Sequence, residues 1–134
     1  MQDENKTRFF ICGSALRGQP DHANLGGAEF VGPARTRPDY RLHDGNNGWH
    51  PAVYQVAPGE AGIAIPGEVY ALTETQLKEL LDSEPPALVL SEVELETGEK
   101  VAAMLCPRET VEAHGWADIS DYGGWAAFKA GEKA

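Results

Sequence analysis

Two cysteines among 134 residues, Cys12 and Cys106, are too few for a disulfide framework. Both sit in apolar stretches of a chain with no export signal, so buried free thiols in a reducing cytosol are expected and a disulfide between them is disfavoured. Long hydrophobic runs are also missing. Residues 9–12 fall far short of a membrane span and are too short for the core of a signal peptide. Positive charge is scarce: 11 Lys and Arg stand against 21 Asp and Glu, and the net charge of -10 disfavours nucleic acid or an anionic membrane as partner. His22, His43, His50 and His114 fall at no metal-ligand spacing. Ser14 lacks Gly-x-Ser-x-Gly surroundings, which withdraws support from a hydrolase nucleophile. The glycines match neither a phosphate loop nor a dinucleotide fingerprint, so no nucleotide or metal cofactor is expected.

What is present fits one soluble domain. Hydrophobic residues make up 42% and charged residues 24% of the chain, enough for a real core and too short a chain for two. Residues 1–7 and 131–134 read as tails around a single domain at 8–130. Charge is uneven along the chain. In residues 1–50, Lys6, Arg8, Arg17, Arg35, Arg37 and Arg41 balance the acids, so the whole deficit lies in 51–134. An arginine group in the neutral half is a candidate anion site; separately solvated arginines are the simpler alternative.

The first apolar run, Arg8 to Cys12, predicts a buried strand that stops at Gly13-Ser14 and opens into a loop through Gly18 and Pro20. Such a loop is either an ordinary turn or a ligand-binding segment held by a rigid strand. A helical turn is expected at 21–25. Residues 28–37 look extended, with Pro33 marking a bulge or break, and Tyr40 to His43 alternate as a strand. Strands are also expected over 52–56 and 63–72. Thr73 and Gln76 form a capping box for a helix reaching Asp82 or Glu84, where Pro85-Pro86 stops it. Residues 88–95 and 100–106 flank Glu96-Thr97-Gly98-Glu99 as the clearest hairpin. Short helices are expected at 108–114, ended by Gly115, and at the close of 118–130. Trp116, Trp125 and Phe128 read as core. The order predicts an α+β fold with a mixed sheet or barrel.

One residue stands out for chemistry. Leu77, Leu80 and Leu81 share a helix face, and Glu84 lies four after Leu80 and seven after Leu77 on that face, whereas Asp82 falls off it. A carboxylate turned toward an apolar face has its pKa raised, which suits a proton carrier near neutral pH. The alternative is that Glu84 swings out to water from the last turn. Tyr40 and Tyr70 are either substrate-orienting or buried with satisfied hydroxyls.

Residues 12–22, Cys-Gly-Ser-Ala-Leu-Arg-Gly-Gln-Pro-Asp-His, resemble the Tyr-Gly-Ser/Thr-Leu…Arg-Gly…His loop of the gamma-glutamylcyclotransferase-like superfamily. Gly67-Glu68-Val69-Tyr70-Ala71-Leu72 and the helix ending Leu81-Asp82-Ser83-Glu84 are similar to its strand and catalytic helix. Within it, Ala28-Glu29-Phe30-Val31-Gly32, Ala34-Arg35-Thr36, Tyr40-Arg41-Leu42, Pro86-Ala87-Leu88 and residues 118–125 most resemble the C-terminal domain of allophanate hydrolase. The likeness runs in order through nearly all of 9–128. It implies a gamma-glutamylcyclotransferase-like mixed β-barrel with short helices packed around it, no cofactor, and a cavity at one end. Glu84 would be the catalytic acid/base. Cys12, Gly13, Ser14, Ala15, Leu16, Arg17 and His22, with Tyr40 and Arg41, would bind substrate.

Three departures qualify the carry-over. Cys12 replaces a usual Tyr, Ala15 replaces a usual Leu, and Glu84 stands where the allophanate branch usually has an apolar residue. The resemblance associates that branch with breaking N-carboxycarbamate down to ammonia and carbon dioxide beside an amidase domain. These residues hold no amidase domain, so the domain is expected to act alone or with an amidase chain. The leading expectation is a cytoplasmic enzyme acting on a small carboxylate-bearing amide or carbamate, with Arg17, Arg35 or Arg41 meeting the carboxylate. The other readings are a non-catalytic module that binds or stabilises an amidase, and a cyclotransferase releasing 5-oxoproline from gamma-glutamyl amines. Nothing in the residues fixes an oligomeric state.

Overall fold

Alternation sets the first strand. In β1 (Thr7–Ile11), Phe9 and Ile11 enter one apolar cluster and Phe10 the other, as the two-residue period of a strand requires. The computed structural model describes residues 6–13, 27–45, 48–83 and 88–131. Ser14, Ala15, Leu16, Arg17, His22 and Glu84, and the helical turn expected at 21–25, lie outside the described residues. The remaining elements are β2 (Glu29–Arg35), β3 (Tyr40–Gly45), β4 (His50–Gln55), β5 (Pro66–Leu72), α1 (Glu74–Ser83), β6 (Val89–Glu94), β7 (Lys100–Leu105), α2 (Arg108–His114), a 3-10 turn at Ser120–Tyr122, and α3 (Trp125–Ala130).

The strands form a five-stranded sheet in the order β2-β5-β1-β7-β6 and a separate β3-β4 ladder. The larger sheet is mixed: β1 runs parallel to β7 and antiparallel to β5. Its two edges meet at one corner, where Thr36 bridges Leu95 and backbone bonds of 2.9 Å run from Arg37 N to the Glu94 oxygen and from Glu96 N to the Arg35 oxygen. That corner pinches the sheet, but the described ladders do not close into a barrel. The bulge expected at Pro33 appears instead as a register shift between Phe30 and Gly32. Pro33 itself stays in the ladder opposite Glu68, tolerated because β2 has a single ladder partner, β5. The strand expected from Ile63 begins at Pro66, and Ile63 makes only an isolated bridge to Tyr40.

The sheet carries apolar layers on both faces. Phe9, Ile11, Tyr70 and Leu72 pack with Leu80 and with the half-buried Leu77 and Leu81, so α1 covers that face as its spacing predicts. On the other face, Phe10, Val69, Val93 and Val101 pack against Tyr40, Leu42 and Val53 of the β3-β4 ladder, with Ile119 and Trp125 closing the edge. A third cluster of Ala52, Cys106 and Val111 seats α2. Cys12 and Cys106 are not joined in a disulfide, and burial pushes the Cys106 thiol pKa up. No helix among the described residues is long and apolar enough to cross a membrane.

Candidate functional site

At the end of β1 the chain is held by two close backbone approaches. Gly13 is buried, and a Cβ there would run into the ring of Pro51 at the start of β4. Gly67, in β5, leaves no room for a Cβ between the Ile11 carbonyl oxygen and the Phe10 ring. Only glycine allows both contacts, so the root of the first loop is fixed against two strands. Glu68 follows, opposite Ile11 on β1 and Pro33 on β2. Its Oε1 accepts a 2.9 Å hydrogen bond from the hydroxyl of Tyr70, which is itself buried. A groove of about 390 Å³ opens here, lined by Pro66, Gly67 and Glu68 on one side and by Tyr122 to Ala127 on the other.

A second polar cluster ties residues 117–120 to the outer edge of β3. Backbone bonds of 2.8 Å run from Asp44 N to the Ala117 oxygen and from Ile119 N to the Leu42 oxygen. Arg41 donates from Nε and Nη2 to Asp118 Oδ2 at 3.1 and 2.8 Å. Burial raises the Asp118 pKa, but hydrogen bonds from Ser120 and Arg41 outweigh it and hold the carboxyl below its usual range. The Trp116 carbonyl can only accept, so His43 Nδ1 carries the proton in their 2.9 Å bond. His43 Nε2 is then buried with no hydrogen-bond partner among the described residues, 3.7 Å from Asp118 Oδ2. Among the described residues no three His, Cys, Asp or Glu side chains are grouped to hold a metal ion.

The model of the allophanate hydrolase C-terminal domain family matches residues 7–130. This chain belongs to that family. A urea amidolyase of Lachancea kluyveri is 28% identical over 130 residues, which are 93% of this chain and 7% of the relative. The chain therefore spans a small fraction of the length of the curated relative it matches. Among solved structures, a uropathogenic E. coli-specific protein superposes with a TM-score of 0.84 at 28% identity, covering 94% of this chain and 97% of that one. Kluyveromyces lactis allophanate hydrolase gives 0.85 at 25% identity, over 95% of this chain and 21% of that one. A gamma-glutamyl cyclotransferase, at 18% identity and a TM-score of 0.53 over 85% of this chain and 70% of that one, shares the fold. This member of the allophanate hydrolase C-terminal domain family thus has a gamma-glutamylcyclotransferase-like fold, as its first loop and helix suggest.

Of the site residues named from sequence, the four that are described, Cys12, Gly13, Tyr40 and Arg41, fall in two places. Cys12 and Gly13 sit at the groove end of the sheet, with Cys12 half-buried against the core. Tyr40 stands four positions along β3 from Asp44, the partner of Pro51, about 13 Å at strand spacing. It is buried, and its hydroxyl accepts the Glu94 backbone N–H at 3.0 Å. Arg41 is next to it, committed to Asp118. Glu68 and Asp118 were not singled out for chemistry from sequence. The signal for Glu68 was available: it occupies the row of Tyr70 and Leu72, where a carboxylate interrupts an otherwise apolar strand face.

Proposed function

We propose that this member of the allophanate hydrolase C-terminal domain family acts on a small carboxylate-bearing amide or carbamate by general acid/base catalysis, with Glu84 as the proton carrier. Family membership across residues 7–130 carries the reading. The geometry supports it: α1 lays Leu77, Leu80 and Leu81 on the apolar cluster that contains Ile11, so its C-terminal end is built on the face from which the first loop departs. Gly13 would root a binding loop made with Ser14, Ala15, Leu16, Arg17 and His22, and the pinched sheet with its β3-β4 ladder would form the barrel-like body around it. The substrate class is N-carboxycarbamate and its relatives. Release of ammonia from N-carboxycarbamate, counted beyond the one equivalent that a separate amidase frees when it generates this substrate in place, tests this directly. Glu84→Gln should abolish release while thermal unfolding stays unchanged, and full activity in that variant would sink the assignment. Release of 5-oxoproline from gamma-glutamyl amines would assign the cyclotransferase reaction instead.

A second reading has its own observation. The matching region is 7% of a urea amidolyase and 21% of an allophanate hydrolase, so the domain occurs as a minor part of larger chains. As a binding or stabilising module it would turn over no substrate of its own. It would then raise an amidase's thermal stability equally well as the wild-type chain and as the Glu84→Gln variant.

A further inference from the structure

We propose that the outer edge of β6 docks an extended segment of a partner protein as an added strand, with a basic residue opposite Glu92 and apolar residues opposite Leu90 and Val89. Strand alternation fixes which backbone groups face outward. Leu95 N donates to the Glu99 oxygen within the β6-β7 hairpin at 2.8 Å. Glu94, one residue earlier, turns outward: its N–H donates to the Tyr40 hydroxyl at 3.0 Å, and its carbonyl accepts from Arg37 N at 2.9 Å. Outward-facing residues recur at every second position of an antiparallel pair, so Glu92 and Leu90 present their N–H and C=O on the side of Glu94. Among the described residues β6 has one ladder partner, β7, and nothing pairs with Glu92 or Leu90 on that outer side. Residues 35–37 thus begin a second ladder on β6, and the chain leaves it at Pro38 to enter β3. The ladder is unfinished.

The opposite edge strand, β2, is blunted by Pro33 and by the register shift between Phe30 and Gly32. β6 carries neither device. All four residues from Val89 to Glu92 are exposed, with Val89 at 48% and Leu90 at 50%, whereas Val93 of the same strand is buried. Charge and length decide the occupant. A net charge of -10, with the whole deficit in residues 51–134, repels a second copy. The open stretch is also too short to bury the area that a stable dimer needs. An added segment needs only main-chain bonds and a few side-chain contacts. Running antiparallel to β6, as residues 35–37 do, it faces Glu92 and Leu90 on one side of the sheet and Val89 on the other. A Lys or Arg opposite Glu92 forms a favourable cross-strand pair, and an acid there is repelled.

The probe is the end-capped peptide Thr-Lys-Thr-Val-Val-Thr, compared with Thr-Glu-Thr-Val-Val-Thr in NMR titrations of the full chain. The Lys peptide should bind at least about fivefold more tightly. In its complex the amides of Leu90 and Glu92 should gain protection from hydrogen exchange, while those of Ser91 and Val93, which face β7, change little. Glu92→Gln should bring the preference close to one, Glu92→Lys should reverse it, and Leu90→Lys should weaken binding of both peptides. Thermal unfolding of each variant reports folding, and the milder Gln variant keeps the comparison open if the Lys variant unfolds. A Lys preference that survives both Glu92 substitutions overturns the proposal, as does protection that arises away from β6 or failure of either peptide to bind. Sedimentation of the unliganded chain tests the other occupant. A dimer that Leu90→Lys dissolves would put a second copy on this edge and overturn the choice of a partner segment.

Discussion

Arg41 and Asp118 are joined by two hydrogen bonds to a single carboxylate oxygen, Nε at 3.1 Å and Nη2 at 2.8 Å, across 77 residues of sequence. The pair fastens the segment before α3 to β3. Its carboxylate is 36% exposed, so the ion pair is worth less than about 1 kcal/mol after screening by water. The Asp118 pKa is held below its usual range in the fold. Its stabilisation is therefore complete above the unfolded value of about 3.9 and is lost as pH falls through the folded value. Urea denaturation of wild type and Asp118→Asn should differ at pH 6 and converge toward pH 3. A constant difference would mean that the charge of Asp118 contributes nothing.

His50 predicts a pH effect in a higher window. Burial lowers its pKa, against smaller raising effects from the Pro51 carbonyl and Asp44. Its neutral form is the one the fold accepts. Stability from this group is complete above the unfolded value of about 6.5 and declines as pH falls below it toward the folded value. The melting temperature should fall between pH 7.5 and 5.5, and His50→Gln should flatten that slope whatever its effect at pH 7.5. An unchanged slope would assign the pH dependence to another group.

Local chemistry made much of the fold legible. Thr73 and Gln76 announce the start of α1, Gly98 sits in the β6-β7 turn, and Gly115 ends α2. Leu77, Leu80 and Leu81 reveal α1's buried face because helix period is written in sequence. The site is harder to read because it is made by register. Glu68 meets Ile11 only through β1-β5 pairing, and Asp118 meets Arg41 only because residues 117–120 lie along β3. The pinched corner of the sheet has the same origin: Thr36 and Leu95, just past the ends of β2 and β6, form a bridge between distant segments that no local pattern encodes. Alternation in Tyr40 to His43 identified the strand, but not that Tyr40 would spend its hydroxyl on the Glu94 backbone.

Gly67 predicts a steric limit at the candidate site. A Cβ there meets a backbone oxygen, that of Ile11, and the ring of Phe10, so β1 and β5 must move apart to admit it. Overpacking of this kind costs about 1–3 kcal/mol. Gly67→Ala should lower stability by that amount in chemical denaturation. It should also shift the amide resonances of Ile11 and Gly13 in NMR spectra more than those of β3 and β4. A neutral Gly67→Ala variant would show that the two strands are less tightly apposed than this geometry requires.

The capping box gives a test of α1 that is independent of chemistry. Thr73 N donates to Gln76 Oε1 at 2.9 Å, and Gln76 N donates to Thr73 Oγ1 at 3.2 Å, so each side chain satisfies a donor that the first helical turn leaves open. Thr73→Ala should cost about 1 kcal/mol, and Thr73→Ser should recover most of it by restoring the hydroxyl. Because α1 seats Leu80 on the cluster that holds Ile11, the loss should spread beyond the helix end. Hydrogen exchange would then speed up along α1 and at the adjoining residues of β1, with β3 and β4 little changed. Faster exchange confined to Thr73 to Gln76 would instead mean that the cap closes one turn and does not help hold the helix against the sheet.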